Sequence, residues 1–376
     1  MVQVVAQIVK FKDSKMKLEQ VEFESDVFGA EKEMDFSIDT ESSVIFDILR
    51  DKMYTDKIAA VCREVSSNSR DANVEAGRGD VPIKISIVEP FELECISDKS
   101  IIFQDNGLGI TPDRMADVFV KYASSTKRDT NEQVGGFGLG AKTPFAYSDT
   151  FTVITVCDIP EIVGSCQEIE LGGKVKRVKF IYTAMIDDSA KGKMILFESE
   201  VVPNEEPTGT QIVVPFNDRD KLKFEKEVHR FTSLWEVKPE LSGFDYNYSS
   251  IEKVATYDGL FDILKDEERF FYAEFLVSID GIPYKLDENL FSDKFGDFIK
   301  EGISDYHPIL MPFKTGELGI SANREGIHYT EKTIMRIEER LSKIVAKFEA
   351  DMEEYITKDA SYIESCIRLN EVKKSR

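Results

Sequence analysis

Apolar and polar positions alternate with a period of two over Val2–Phe11 and Met34–Ile38, the pattern of short strands. Helical spacing follows, over about Ser42 to Met53 behind Thr40 and over about Thr55 to Ala76, where Gly77 supplies a stop. Strand-like runs come next at Ile83–Val88, Phe91–Ile96 and Ile101–Gln104. A short helix is expected after Pro112, then a polar stretch, Ala123–Gln133, and a glycine-dense turn, Gly135–Gly140. Beyond it the strand pattern returns at Thr150–Val156, Lys174–Ile186, Lys193–Glu198 and Thr210–Val214. Strands and helices do not alternate regularly, so the pattern predicts an α+β fold, a helix layer on one mostly antiparallel sheet.

From Asn217 the order becomes helix, strands and helix, with Phe271–Ile279 and Glu317–Ser321 as expected strands. A long charged helix begins near Thr330. Its apolar positions Ile334, Ile337, Leu341, Ile344 and Phe348 step by three and four, which makes one sticky stripe. Packing against its own domain is the expected use of that stripe, ahead of an intermolecular coiled coil over so few heptads. Three segments result: 1–218, 219–330 and a C-terminal helical piece, 331–376.

Charge narrows the choice of partners. Seventy acidic residues against 48 basic ones leave a net charge of −22, which repels phosphate backbones and makes broad nucleic-acid binding a poor default. The five cysteines (Cys62, Cys95, Cys157, Cys166 and Cys366) form no CxxC pair, so reduced thiols are expected rather than a disulfide frame or a zinc site. The N-terminal alternation meets lysines within ten residues, and no run of about 18 apolar residues occurs, so neither a leader nor a membrane span is expected.

Four segments carry candidate chemistry. In Glu64-Val-Ser-Ser-Asn68-Ser-Arg-Asp71, the residues Glu64, Asn68 and Asp71 fall within roughly 60° of helix surface, beside the apolar face. A carboxylate there can take a proton from water, and an amide oxygen one turn on can ligate Mg²⁺ without adding charge. The plainer alternative is a solvated face with a salt link from Glu64 to Arg63 or Arg70. Asp105-Asn-Gly107-Leu-Gly109 follows a strand-like run, so Asp105 can accept from an exocyclic amine while the glycines keep room for a flat ring. An ordinary Asx turn reads the same way.

Gly135, Gly136, Phe137, Gly138, Leu139 and Gly140, with Lys142 just after, would offer a ring of backbone N–H groups and an ammonium suited to a triphosphate. No strand precedes this turn, which separates it from the dinucleotide GxGxxG. Thr208 and Gly209 stand before the run Thr210–Val214, where a threonine hydroxyl can bond a base or hold Asp105. Each segment is weak alone. All four in one order carry more.

In that order they resemble the GHKL ATPases (gyrase, Hsp90, histidine kinase, MutL), whose nucleotide pocket is the Bergerat fold. Residues Glu64–Ala72 resemble the superfamily's N-box, Asp105–Gly109 and Gly135–Gly140 its glycine boxes, and Thr208–Thr210 its closing motif. The resemblance implies ATP and Mg as ligands, Glu64 as general base and Asn68 as the Mg²⁺ ligand, with Asp71 in the same box. It implies Asp105 on the adenine amine with Thr208 in support, and phosphates wrapped by the 135–140 turn and Lys142. Ala123–Val134, with Lys127, would be the ATP lid. Residues 1–218 are then the ATP-binding domain with its N-terminal strap, and 219–330 resembles the ribosomal S5-like transducer. There Leu318-Gly-Ile-Ser-Ala-Asn323-Arg324-Glu325 resembles a loop of Hsp90 whose arginine reaches the γ-phosphate, so Arg324 would sense the triphosphate; a surface arginine paired with Glu325 is the alternative.

Within the superfamily, Tyr54–Glu64 and Tyr122–Phe151 are similar to the phage rIIA proteins. The superfamily resemblance, with its transducer, implies a slow ATPase acting as an ATP-gated homodimeric clamp, and the rIIA resemblance implies action in the cytoplasm of an infected bacterium. Its implied role is in lysis timing or protection against exclusion, with an rIIB-like partner and peripheral inner-membrane association through a partner. A phosphoacceptor histidine is a poor fit, because His229, His307 and His328 all lie downstream of the pocket. A non-hydrolysing nucleotide scaffold and a DNA-acting topoisomerase or MutL-like ATPase remain as alternatives.

Overall fold

A computed structural model describes residues 9–10, 22–23, 52–92, 96–120, 140–160, 175–187, 192–246, 251–300, 307–321, 323–358, 361, 363–364 and 367. They divide into two compact units, one drawn from residues 1–228 and 236–247 and the other from 229–235 and 248–376. The expected helix over Ser42 to Met53 lies outside the described residues except for its last two positions.

In the first unit β1 (Val9–Lys10) and β2 (Glu22–Phe23) form a two-residue antiparallel ladder. Helix α1 (Lys57–Glu75) starts where the Asp56 side chain accepts from the Ala59 amide at 3.1 Å, satisfying one of the orphan donors of its first turn. It stops at Gly77, which takes φ +70°, and the Arg78 amide bonds back to the Asn73 carbonyl at 2.7 Å. After it come β3 (Lys84–Val88), β4 (Ser100–Gln104), α2 (Pro112–Arg114), α3 (Pro144–Tyr147), β5 (Thr150–Pro160), β6 (Val175–Ile186), β7 (Gly192–Val201) and β8 (Gly209–Pro215). Helix α4 (Lys221–Thr232) begins in the first unit and ends in the second, and β9 (Glu240–Ser242) returns to the first.

The seven strands run in the order β7-β6-β5-β8-β4-β3-β9, antiparallel at every pairing except β3 with β9. Because neighbouring residues of a strand face opposite ways, β5 feeds two clusters. Phe151, Val153 and Cys157 pack with Phe145, Phe180 and Tyr182, while Ile154 packs with Ile102, Ile181 and Val213. One face of α1 closes over this sheet with Ile58, Val61, Cys62 and Val65 buried. The expected α+β fold, with its mostly antiparallel sheet, is therefore present.

The second unit holds β10 (Glu252–Tyr257), β11 (Phe261–Lys265), β12 (Phe275–Ile279), β13 (Ile282–Lys285), α5 (Ser292–Lys300), β14 (Ile309–Phe313) and α6 (Glu331–Thr357). Its sheet order is β10-β11-β14-β12-β13, with β12 and β14 parallel. Thr330 caps α6 by accepting from the Thr333 amide at 3.2 Å. Ile337, Leu341 and Ile344 are fully buried, and Phe348 lies 5.3 Å from Phe261 and 5.7 Å from Phe298, ring centre to ring centre. The stripe thus packs within its own unit, as expected.

Two expected strands are corrected. Phe91 takes φ +65° and its amide bonds to the Ile96 carbonyl at 2.9 Å, so the chain turns at Phe91 between β3 and β4 instead of extending. Glu317–Ser321 forms only isolated bridges, Thr315 with Leu318 and Ile320 with Ile327. Among the described residues no helix is long and apolar enough to cross a membrane.

Candidate functional site

Helix α1 is unusual in what it buries. Arg63, Glu64, Ser66, Ser67, Ser69, Asp71 and Asn73 are all buried, and Asn68 is half-buried. They lie all round the helix, so its polar residues are enclosed by the fold and do not form a solvated face. The solvated-face alternative fails here, although the salt link it named exists: Arg63 Nε lies 2.9 Å from Glu64 Oε1, with both side chains inside. Ser67 anchors the same turn by donating its hydroxyl to the Arg63 carbonyl at 2.7 Å.

The 3₁₀ turn that begins at Gly140 approaches Glu64 and Asn68. A Cβ at Gly140 would stand 3.0 Å from Glu64 Oε2 and 3.1 Å from Asn68 Nδ2, so only a bare backbone approaches both side chains at once. Gly140–Lys142 forms one 3₁₀ turn, tightened by the Thr143 hydroxyl donating to the Gly140 carbonyl at 2.6 Å. Lys142 is buried, with Nζ donating to the Val118 carbonyl at 3.3 Å, and burial lowers its pKa to about 8. Gly135, Gly136, Phe137, Gly138, Leu139 and Lys127 lie outside the described residues, as does the Ala123–Val134 segment expected to be a lid.

Asp105 leaves the end of β4 and is buried. Its Oδ1 accepts from the Gly107 amide at 2.8 Å and the Thr210 amide at 3.0 Å, which fixes the carboxylate in place. The Asx-turn alternative is thus also true, as part of the same arrangement. Gly107 packs on α1, where a Cβ would meet Ala72 Cβ at 3.0 Å. Gly109 takes φ +74°, and a Cβ there would collide with the Val156 carbonyl at 2.2 Å, so no other residue fits. Thr208 is buried, but Asp105 is held by the amide of Thr210, while the Thr208 hydroxyl accepts from Arg78 Nη1 at 3.1 Å.

Arg78, Asn73 and Thr155 went unnoticed in the sequence. Arg78 Nη1 also donates to the Asn106 carbonyl at 2.5 Å and the Gly107 carbonyl at 3.4 Å. Asn73 Oδ1 accepts from the Asn106 amide at 2.6 Å while its Nδ2 donates to the Val81 carbonyl at 2.8 Å. Thr155 Oγ1 takes the Ile110 amide at 2.7 Å and donates to the Gly209 carbonyl at 3.2 Å. Asn73 points roughly half a turn away from Glu64 on the helix, so no periodicity marks it. The only signal for Arg78 is its place beside a helix-ending glycine.

Arg324 belongs to the second unit, where it is buried with φ +56° and its amide bonds to the Ser321 carbonyl at 2.8 Å. Neighbouring Glu325 receives the Asn323 side-chain amide at 2.8 Å. Among the described residues no group of three His, Cys, Asp or Glu could hold a metal ion. An amide oxygen such as that of Asn68, completed by phosphate and water oxygens, is the donor set a Mg²⁺–nucleotide pair uses.

Known proteins share this stretch. Residues 56–168 match the family model described as histidine kinase-, DNA gyrase B- and HSP90-like ATPase. The chain is also 29% identical over 151 residues to the mitochondrial TNF receptor-associated protein 1 homolog of Dictyostelium discoideum, a match covering 36% of this chain and 21% of that protein. It therefore spans about a fifth of that relative's length. Together with a mostly antiparallel sheet under a polar-faced helix, these matches support a GHKL, Hsp90-like ATPase domain in this part of the chain.

Proposed function

We propose that residues 56–216 bind ATP with magnesium and hydrolyse it slowly, with Glu64 as the general base. One observation supports the reading: a Cβ placed on Gly140 would stand 3.0 Å from Glu64 Oε2 and 3.1 Å from Asn68 Nδ2, so this turn lies close to the side chains that would serve as base and metal ligand. Asp105 would accept from the adenine amine at the far end of the same helix. Asn68 would hold magnesium, which supplies charge neutralisation on the phosphate oxygens. Glu64 takes a proton from water as its oxygen bonds to the γ-phosphorus, and the bond to the β-bridging oxygen breaks to release ADP and phosphate. Lys142 would add positive charge beside the phosphates. The test compares phosphate release by wild type and Glu64→Ala. A large fall supports the base role, and equal rates reduce the protein to a binder.

A non-hydrolysing scaffold is favoured by one specific feature, the buried Arg63–Glu64 pair, which ties one carboxylate oxygen to the neighbouring guanidinium and leaves the side chain less free to reach a water. The same comparison of rates decides between the two. DNA-directed action is disfavoured by the charge of −22, and salt-sensitive micromolar binding of duplex DNA by anisotropy would restore it.

The wider role rests on resemblance. An ATP-gated homodimeric clamp needs contacts that differ between open and closed states, which the γ-phosphate can supply. Light scattering with a non-hydrolysable ATP analogue should then shift toward dimer. The similarity of Tyr54–Glu64 and Tyr122–Phe151 to phage rIIA proteins supports a place in lysis timing or protection against exclusion, beside an rIIB-like partner. Co-purification with such a partner from infected cells tests it.

A further inference from the structure

We infer that Arg78 is a positioning residue for base recognition, and that it sets the hydrogen-bond polarity by which the pocket prefers adenine to guanine. The inference rests on the proposed nucleotide site and deepens it.

Arg78 sits at the exit of α1, where the left-handed Gly77 turns the chain toward the Asp105–Gly109 loop. The chain has 70 carboxylates to offer its 48 basic residues, yet among the described residues Arg78 makes no ion pair. One nitrogen, Nη1, instead serves three oxygens: the carbonyls of Asn106 and Gly107 and the hydroxyl of Thr208. It therefore ties the loop after β4 to the start of β8, the two segments that flank the Asp105 carboxylate.

The contact with Thr208 has a chemical consequence. A guanidinium has only donors, so Thr208 Oγ1 must accept from it. The hydroxyl proton then turns away from Arg78, and among the described residues nothing accepts it. The Asp105 carboxylate, whose Oδ1 takes the amides of Gly107 and Thr210, supplies the acceptor. Around Gly107, which bonds to both Asp105 and Arg78, the residues thus supply one acceptor, Asp105, and one donor, Thr208. Adenine offers the matching pair, an amine beside an unprotonated ring nitrogen. Guanine offers the reverse, a carbonyl beside a protonated one, and would leave buried groups unpaired.

Calorimetric titration of the full chain with MgATP, MgGTP and adenosine tests this in wild type, Arg78→Met, Arg78→Lys, Thr208→Val and the Arg78→Met/Thr208→Val pair. Arg78→Met should weaken ATP and adenosine by the same factor, about tenfold, and shrink the preference for ATP over GTP. Thr208→Val should shrink that preference similarly, and the double variant should lose no more than the larger single loss, since both act through one hydroxyl. Arg78→Lys should recover part of the preference. If Arg78→Met does not fold, the Thr208→Val titrations are decisive without it. Unchanged ATP-to-GTP preference in Thr208→Val, or a loss confined to ATP while adenosine binds as before, overturns the inference. Wild type that binds neither ATP nor adenosine overturns the nucleotide site itself.

Discussion

Arg63 Nε stands 2.9 Å from Glu64 Oε1, with both side chains almost wholly buried, so the candidate base is held by its own neighbour in the chain. A buried pair gains little over apolar residues of the same size, but breaking it strands a charge indoors. Arg63→Met should therefore destabilise the first unit by about 3 kcal/mol in urea unfolding, and Arg63→Met/Glu64→Met should regain most of that loss. A single variant that unfolds at the wild-type urea concentration would count against the pair.

Gly140→Ala adds one methyl group between Glu64 Oε2 and Asn68 Nδ2, at about the distance where neighbours must yield. Displacing both side chains by a few tenths of an ångström should slow phosphate release by about tenfold, because small misplacements of a base are costly. Adenosine affinity should stay as it was, since Asp105 is untouched. Equal loss of adenosine binding would show a general disturbance instead.

Lys142 gives a pH prediction. Burial lowers its pKa to about 8, so the folded protein disfavours the ammonium. Below about 8 the folded state carries that penalty in full, and stability from this group rises between about 8 and the ordinary 10.5 as the folded lysine releases its proton first. If the ammonium meets phosphate, ATP binding takes up a proton near pH 8 to 9, and affinity falls as pH rises through that window. Titrations in buffers of different ionisation heat should show the uptake, and Lys142→Met should abolish it. An affinity flat from pH 7 to 9.5 in the wild type contradicts this role.

Tyr147 fastens the end of α3. Its hydroxyl donates to Asp220 Oδ2 at 2.7 Å and accepts from the Asn217 amide at 3.2 Å. Tyr147→Phe should cost about 1–2 kcal/mol in urea unfolding. The phenol is pushed up to about 12, chiefly by burial, so its extra stabilisation is complete below pH 10 and fades only as pH climbs toward 12. A wild-type midpoint for the variant at pH 7 would show that the bonds contribute nothing.

Much of this was readable from sequence, and the failures have causes. Helix α1 was legible because Ile58, Val61 and Val65 repeat at helical spacing and Gly77 ends the run. Strands β5 and β6 were legible because Thr150–Val156 and Lys174–Ile186 are rich in β-branched and aromatic residues, although β5 runs on to Pro160. Phe91-Glu92-Leu93-Glu94 alternates as well, but Pro90 before it and the left-handed Phe91 bend the chain, which no two-residue period reveals. Glu64, Asn68 and Asp105 could be singled out because their chemistry is carried in local motifs. Arg78 and Asn73 could not, since their partners lie on loops far along the chain and take backbone atoms that any sequence would offer.

The measurement that bears most directly on the whole account is calorimetric titration of the intact chain with MgATP, beside Asp105→Asn. The account predicts one saturable site per chain in the wild type and at least a tenfold weaker one in the variant, because asparagine can keep the two amides on one oxygen but puts a donor NH₂ where the second carboxylate oxygen would take the adenine amine. No heat of binding in the wild type, or equal affinity in both proteins, would contradict it.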